Sequence, residues 1–336
     1  MTGRFVLCAP AALGGSELAV FGPSTLAVTW SQSNIAGYGL QSGLATDGKS
    51  TFLVGTTHLL TFLRSIDGGH TFAALATAHD SIVTWATSGS GVWIGGQSGN
   101  ALYRSIDNGA TFTQMQVGGN PVSPIPGGVN YELAYGNGFW FAVDTQGTDY
   151  SYSRDGGFHW THPALFAVNA FRYLLFDGTD FAATATPNAG AQSVCTTSDG
   201  KNWTANAVTG ADAPVGIAAG AGVFAIILQT ALEPCAVKVG NSWAAAAAAA
   251  STTFKFKNND PTAQAVAVTS EGRIVVAGSY GSIASSVDQG KTWIEDDVPW
   301  DHNNVNPTNV NGMVAAGASV VLCTGVGLFG FRQALC

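Results

Sequence analysis

Charged side chains are scarce in this chain of 336 residues, at 10% of the composition. Only 13 residues are Lys or Arg, against 21 Asp or Glu, so the formal net charge is -8. A protein that holds nucleic acid needs a basic surface to neutralise phosphates. The charge balance therefore excludes nucleic acid as the main partner, and it favours solubility.

Long apolar runs are also missing. No stretch reaches the roughly 18 residues that span a bilayer, so we expect no membrane insertion. The N-terminal stretch MTGRFVLCAPAALGG makes a poor signal peptide, because its apolar part is short and is interrupted by Pro10. We therefore expect a chain that folds in a cytoplasm without Sec export.

Glycine and small or β-branched residues are abundant instead. The chain has 43 Gly and 46% hydrophobic residues, with many Thr, Ser, Val and Phe, while the helix formers Glu and Lys are few. This composition is typical of an all-β protein with many short strands and tight turns.

One eight-residue phrase, here called the octet, recurs along the chain. Its copies are SIDGGHTF (65–72), SIDNGATF (105–112), SRDGGFHW (153–160), the shorter TSDGKNW (197–203) and SVDQGKTW (286–293). A degenerate copy, VGNSW, ends at Trp243 and lacks the Asp. The closing aromatic residues lie 40 to 50 residues apart, which is the length of one four-stranded unit.

A second repeated feature is a Gly-containing turn that leads into a hydrophobic strand. It occurs seven times, at Gly48, Gly91, Gly138, Gly178, Gly222, Gly272 and Gly317. The spacing places a seventh octet beyond the last residue, Cys336, so the outer strand of the last unit must come from elsewhere. The strand-like segment STLAVTWSQ (24–32) is available for that position.

The octets resemble the Asp-box, or BNR repeat, of the sialidase-like β-propellers, and the resemblance covers residues 24–336. It implies an all-β, seven-bladed β-propeller with four-stranded antiparallel blades. Pairing of the N-terminal strand with C-terminal strands would close the ring and leave no long open edge. Residues 1–23 are then an N-terminal arm, and residues 24–336 form a single domain.

The octet is interpreted as a structural clip. Its carboxylate can accept hydrogen bonds from nearby backbone N–H groups, and its Gly can adopt a positive φ. The carboxylates concerned are Asp67, Asp107, Asp155, Asp199 and Asp288. Each octet offers one carboxylate, whereas calcium takes six to eight oxygen ligands, so we expect no metal site and no cofactor.

Paired cysteines are not indicated either. The five Cys are an odd number without a CxxC pair, which fits neither a disulfide framework nor a zinc site. Cys195 and Cys235 lie at equivalent positions of neighbouring units, too far apart for a disulfide. We predict that both are unbridged.

The family resemblance implies sialidase activity, which requires an arginine triad, a Tyr/Glu pair and an acidic Asp. Arg64, Arg104 and Arg154 lie beside octets and belong at the blade rim, so the triad cannot be assigned. We assign no catalytic residue, and we lean against an enzyme.

Ligand binding is expected on the face opposite the octets, where the connections between blades lie. Its longest loops are 113–130, 244–263 and 294–310. The second opens with an alanine run that is either a short helix or a low-complexity segment. The third places carboxylates, an aromatic ring and an imidazole together, the mixture that a sugar site uses. The speculative ligand-binding residues are Asp297, Trp300, Asp301 and His302, with His79 and Asp80 in a shorter loop. The alternative interpretation is a solvated connector.

The leading hypothesis is a non-enzymatic phage virion protein, associated with the tail or capsid, that binds other virion proteins or a host-surface glycan. It would be assembled in the host cytoplasm, with a homo-oligomer within a larger assembly as one arrangement. Two alternatives remain open: a glycan-binding or glycan-hydrolysing sialidase-like propeller, and an intracellular assembly factor.

Overall fold

The computed structural model describes most of the chain between Trp30 and Gln333. The described residues are 30–31, 40–56, 61–69, 71–76, 82–97, 101–125, 131–145, 149–163, 168–187, 192–210, 212–229, 234–256, 262–278, 282–295, 310–317, 319–324 and 329–333.

The first half of the chain forms antiparallel sheets whose neighbouring strands are consecutive in sequence. A two-residue strand, β1 (Trp30–Ser31), comes first. The first sheet follows with β2 (Leu40–Thr46), β3 (Phe52–Thr56), β4 (Thr61–Ser65) and β5 (Ala73–Ala76). The second has β6 (Ile82–Thr87), β7 (Trp93–Gln97), β8 (Leu102–Ser105) and β9 (Thr113–Gln114). A small hairpin of β10 (Gln116–Val117) and β11 (Asn120–Pro121) precedes the third sheet, which has β12 (Tyr131–Gly136), β13 (Phe139–Asp144) and β14 (Tyr150–Ser153).

The second half repeats the pattern. The fourth sheet has β15 (Val168–Phe176), β16 (Phe181–Pro187), β17 (Ser193–Thr197) and β18 (Thr204–Ala207). The fifth has β19 (Ala213–Gly220), β20 (Val223–Gln229), β21 (Cys235–Gly240), the helix α1 (Trp243–Ala248) and β22 (Thr252–Phe254). The sixth has β23 (Ala263–Val268), β24 (Ile274–Gly278), β25 (Ile283–Ser286) and β26 (Ile294–Glu295). The last has β27 (Val310–Ala316), β28 (Ser319–Thr324) and β29 (Phe329–Gln333).

The chain ends meet in the last sheet. Strand β1 pairs antiparallel with β29, with Trp30 opposite Arg332 and Ser31 opposite Phe331. That sheet therefore combines one N-terminal and three C-terminal strands in the order β1-β29-β28-β27.

The core lies between successive sheets. The second strands β3, β13 and β24 are buried along their whole length, because other sheets cover both of their faces. Such a strand reads as a continuous apolar run rather than an alternating one. The fourth strands β5 and β18 are mostly exposed, so they form the outer edge.

The alanine run lies at a different place from the one expected. It forms the short-helix alternative, α1, and this helix connects the third and fourth strands of the fifth sheet. It therefore stands where other sheets have an octet, and not in a connection on the opposite face. Ser242 caps the helix, since its hydroxyl accepts a hydrogen bond from the Ala245 amide at 3.1 Å.

Two contacts dock α1 onto the sheets. Trp243 is 4% exposed, and its Nε1 donates to the Asp177 carboxylate of the fourth sheet at 2.8 Å. A Cβ on Gly240 would come within 2.4 Å of the Ala246 amide nitrogen, so the helix rests directly on backbone. In the described part of the chain, no helix is long and apolar enough to cross a membrane.

A buried lysine secures the far end of the helix. Lys238 is 2% exposed, and its ammonium donates to the Thr209 hydroxyl at 2.8 Å and to the Ala249 carbonyl. The last carbonyls of a helix carry partial negative charge, which favours a cation there. Burial lowers the pKa of Lys238.

The prediction for the cysteines is confirmed where it can be compared. Cys195 and Cys235 are buried in neighbouring sheets and form no disulfide. Burial raises the pKa of the Cys195 thiol to about 12, so we expect this thiol to be unreactive in the folded protein.

Replacing Trp243 with Ala is expected to lower the free energy of unfolding by about 3–5 kcal/mol, because the change empties a buried site at the sheet interface. Trp243→Phe should cost less, since it keeps a six-membered aromatic ring and loses the pyrrole part of the indole with its bond to Asp177. The exposed Ala244→Ser is the control. Urea unfolding measures all three, and a cost for Trp243→Ala no larger than that of the control would show that α1 is not docked.

Candidate functional site

The loop residues predicted to bind a ligand fall outside the described residues. This applies to Asp297, Trp300, Asp301 and His302 and also to His79 and Asp80. Strand β26 ends at Glu295, immediately before the first of these segments. Their role in ligand binding stays a prediction.

The octet carboxylates are saturated by their own turns. Asp107 accepts hydrogen bonds from the Ser105 hydroxyl at 2.7 Å, from the Thr111 amide at 2.9 Å and from the Thr111 hydroxyl at 2.6 Å. The turns of Asp67 and Asp288 repeat this set with Thr71 and Thr292.

Two octets carry a different side chain at the Thr position. Asp155 binds the amide of His159 at 2.9 Å and its ring nitrogen Nδ1 at 2.5 Å. Asp199 binds the amide of Asn202 at 2.8 Å and its side-chain nitrogen at 2.6 Å. The geometry of the carboxylate is therefore kept although the partner changes.

The protonation of these carboxylates reflects the hydrogen bonds. Burial alone would raise the pKa of Asp107, but the bonds from Thr111, Ser105 and Ala110 lower it to about 2. The same balance lowers the pKa of Asp155 to about 2. The carboxylates of Asp107 and Asp155 are thus ionised at neutral pH, and their oxygens already accept hydrogen bonds. Among the described residues, no three His, Cys, Asp or Glu side chains converge on a possible metal site.

A cavity of about 1030 Å³, here called the inner cavity, lies among the first strands of the sheets. Its walls come from the first strand of each of the seven sheets, namely β2, β6, β12, β15, β19, β23 and β27. Aliphatic side chains and backbone make up much of this wall. A smaller cavity of about 470 Å³ is lined by the turns between the first and second strands, including Asp47, Ser88 and Asn137.

Aromatic side chains add phenol groups to the inner cavity. Tyr131, Tyr135 and Tyr173 are among its lining residues. The Tyr131 hydroxyl donates to the Ala101 carbonyl at 3.2 Å, and burial raises the pKa of this phenol. A Cβ on Gly96 would come within 2.4 Å of the Tyr131 ring, so glycine is required there for the ring to fit.

Glu132 links two neighbouring first strands at the cavity wall. Its Oε2 accepts a hydrogen bond from the Leu174 amide at 2.6 Å, and the Tyr173 amide also donates to the carboxylate. Burial raises the pKa of Glu132, against the lowering effect of these two amides and of the nearby Arg172. The carboxylate is therefore engaged by backbone.

Arg172 is the only arginine that lines the inner cavity among the described residues. Its side chain is exposed to the cavity. The three arginines beside octets lie elsewhere, and each reaches a neighbouring turn or ring. Arg64 donates to the Asn108 carbonyl at 2.9 Å, Arg104 lies 5.7 Å from the centroid of the Phe158 ring, and Arg154 lies 4.6 Å from that of Phe139.

No family model and no curated protein matches this sequence. Solved structures do match, at low identity. The chain is similar to YCF48 bound to a D1 peptide, with 15% identity over 93% of this chain and 98% of that one and a TM-score of 0.65. It is similar to a catalytically inactive virginiamycin B lyase from Staphylococcus aureus with quinupristin, with 14% identity, 91% and 99% coverage and a TM-score of 0.68.

A glycoside hydrolase shows the same likeness. The GH74 xyloglucanase from Xanthomonas campestris matches with 16% identity over 91% of this chain and 54% of that one, at a TM-score of 0.62. At such identities the likeness concerns the fold. Together with the antiparallel sheets, it shows that the chain is an all-β protein of the β-propeller type.

Replacing Asp107 with Ala is expected to lower the free energy of unfolding by about 1 kcal/mol at pH 7, because two backbone amides and two hydroxyls lose their acceptor. Asp107 is exposed, and solvent screening keeps the loss small. The exposed Asp212→Ala, outside any octet, is the control.

The same variant has a defined pH dependence. The folded pKa of Asp107 is about 2 against an ordinary 3.8, so its contribution is present above pH 3.8 and is lost as pH falls through 2. The stability difference between wild type and Asp107→Ala should therefore shrink over that interval, as measured by urea unfolding at each pH. A difference that stays constant down to pH 2 would contradict the role given to the carboxylate.

Proposed function

We propose that the chain is a seven-bladed propeller of the sialidase-like Asp-box family, closed by its N-terminal strand. Support comes from the seven first strands that share one cavity, from the pairing of β1 with β29, and from the octets, which occur in the connections between third and fourth strands. In this arrangement the last blade has an outer strand from the opposite end of the chain, so the ring has no open edge.

Ring closure can be tested by truncation. Deleting residues 1–31 removes β1 and should lower the midpoint of thermal unfolding by several degrees, because the edge of β29 loses its partner. Deleting residues 1–23, the proposed arm, should leave the midpoint unchanged. Equal effects of the two deletions in a thermal scan would contradict closure through β1.

We further propose that the chain is a non-enzymatic binding protein. The observation that carries this proposal is the state of the acidic groups. Glycoside hydrolysis needs two carboxylates facing each other across the scissile bond. In the described lining of the inner cavity the one carboxylate, Glu132, is engaged by the Tyr173 and Leu174 amides, and the octet carboxylates are engaged by their turns.

A protein partner is the class that this fold supports best. YCF48, one of the structures with a similar fold, is seen with a D1 peptide. The inner cavity offers what a peptide needs, since its walls combine apolar side chains with polar ones such as Thr84 and Gln264. We place this binding in a phage virion, where the chain would serve as a tail or capsid-associated appendage that contacts other virion proteins. The low content of charged residues, 10%, and the N-terminal arm support that setting.

Purified particles test the virion assignment. Quantitative mass spectrometry of intact particles should find the chain at a fixed copy number, and negative-stain images of particles made without its gene should lack a feature at the tail or capsid. Absence of the chain from washed particles, with unchanged images, would contradict the assignment.

A further inference from the structure

The charged side chains that line the inner cavity are Glu132 and Arg172 in the part of the chain that the structure describes. Glu132 accepts hydrogen bonds from two backbone amides of the neighbouring sheet. Arg172 is exposed to the cavity, and its guanidinium has no hydrogen bond and no ion pair with any described residue. Among the described residues, the cavity thus holds one cation, which interacts with Glu132 through charge but forms no hydrogen bond through its guanidinium.

The backbone beside Arg172 is held in an unusual conformation. Tyr173 has φ of 57°, in the region that disfavours a bulky side chain. The register of β15 against β16 shifts twice, between Val168 and Phe171 and again between Arg172 and Leu175. In the other described sheets, the pairing of first and second strands shows at most one shift.

Glu132 stabilises this second shift. Its carboxylate binds the amides of Tyr173 and Leu174, which the irregular pairing directs to the neighbouring strand. Bulges often redirect a side chain beside a functional site, and backbone strain tends to persist where it serves function. Here the strained residue follows Arg172 directly. The carboxyl group of Glu132 is hydrogen-bonded to these amides and acts on Arg172 through charge alone, so among the described residues no acceptor occupies the guanidinium donors.

We propose that Arg172 anchors a carboxylate-binding site in the inner cavity, and that the site receives a carboxylate of an extended segment of the protein partner. One guanidinium matches one carboxylate in bidentate geometry. A phosphate dianion favours several cations, and Arg172 is the one cation in the described lining of the cavity. The cavity volume of about 1030 Å³ is in the range of ligand sites, and the apolar wall around Val215 and Ile217 suits neighbouring side chains of the segment.

The proposed occupant rests on the proposed function, whereas the anion site itself does not. The carboxylate can come from a chain terminus or from an Asp or Glu side chain, so both sources are tested. The probes are acetyl-Ala-Ala-Val-Leu with a free C-terminal carboxylate, the same peptide as its C-terminal amide, and acetyl-Ala-Asp-Val-Leu amide. Binding to the full chain is followed by backbone amide shifts in ¹H–¹⁵N spectra.

At least one carboxylate peptide should bind about tenfold more tightly than the uncharged amide, as expected for a charge-assisted pair. Arg172→Gln should abolish this difference, and Arg172→Lys should regain part of it because the positive charge returns. Lys201→Gln removes an equal charge at an exposed site in the fourth octet and should change nothing.

Several results would overturn the proposal. These are equal affinities of all three peptides for the wild type, an unaltered preference for the carboxylate peptides in Arg172→Gln, or no regain of that preference in Arg172→Lys.

Inorganic phosphate and N-acetylneuraminate are titrated in parallel, and tighter binding of either at Arg172 would replace the peptide segment as occupant. Arg172-dependent peptide binding by a chain that is absent from particles would refute the virion role and leave the site intact. Presence of the chain in particles without any peptide binding would refute the carboxylate-binding site and leave the virion role intact.

Discussion

Face-to-face packing of successive sheets is the constraint on which the rest of this structure depends. Phe141 in the third sheet stacks on Phe181 in the fourth, with ring centroids 4.9 Å apart. The sheets approach so closely at the first strands that a Cβ on Gly136 would lie 2.2 Å from the Phe176 ring. Such packing buries second strands from both sides. A chain with few charges therefore needs turns that supply hydrogen-bond partners for their own backbone N–H and C=O groups.

The turns meet that demand with side chains and also join neighbouring sheets. Asn108 follows an octet Asp in the second sheet, and its Nδ2 donates to the Thr51 hydroxyl of the first at 2.7 Å. Asn137 in the third sheet donates to the Thr179 carbonyl of the fourth at 2.7 Å. The fifth sheet has lost the octet Asp, and α1 takes its place in the connection. The helix is held by the bond from Trp243 to Asp177 and by the bond from Lys238, in β21, to the Ala249 carbonyl. A repeat can thus lose its motif and keep its position when another element supplies equivalent bonds.

The repeating unit could be predicted from the sequence, but not every element or residue that departs from the repeat. Glycines such as Gly48 and Gly91 adopt positive φ in turns, which is why their spacing reports on the architecture. The location of α1 was missed because the alanine run has no tertiary signal of its own. Arg172 and Glu132 were missed as well, although a signal existed: each lies in the strand just before a Gly turn, where charged residues are otherwise rare. The proposed role of Arg172 depends on the irregular backbone at Tyr173. The Tyr173 and Leu174 amides there donate to Glu132 of the neighbouring sheet, a contact that the sequence of one strand does not reveal.

The distribution of acidic groups connects the fold to function. A carboxyl group inside a low-charge protein needs hydrogen-bond donors, and both kinds of carboxyl group described here take them from backbone amides. In the octets the donors lie in the same turn as the carboxylate, so the carboxylate stabilises that turn. At Glu132 the donors belong to the next sheet, so the same chemistry fixes the conformation of a neighbouring strand. In the described structure that strand also presents the Arg172 guanidinium to the cavity, beside a carboxyl group that two backbone amides hold, and the proposed carboxylate site rests on this arrangement.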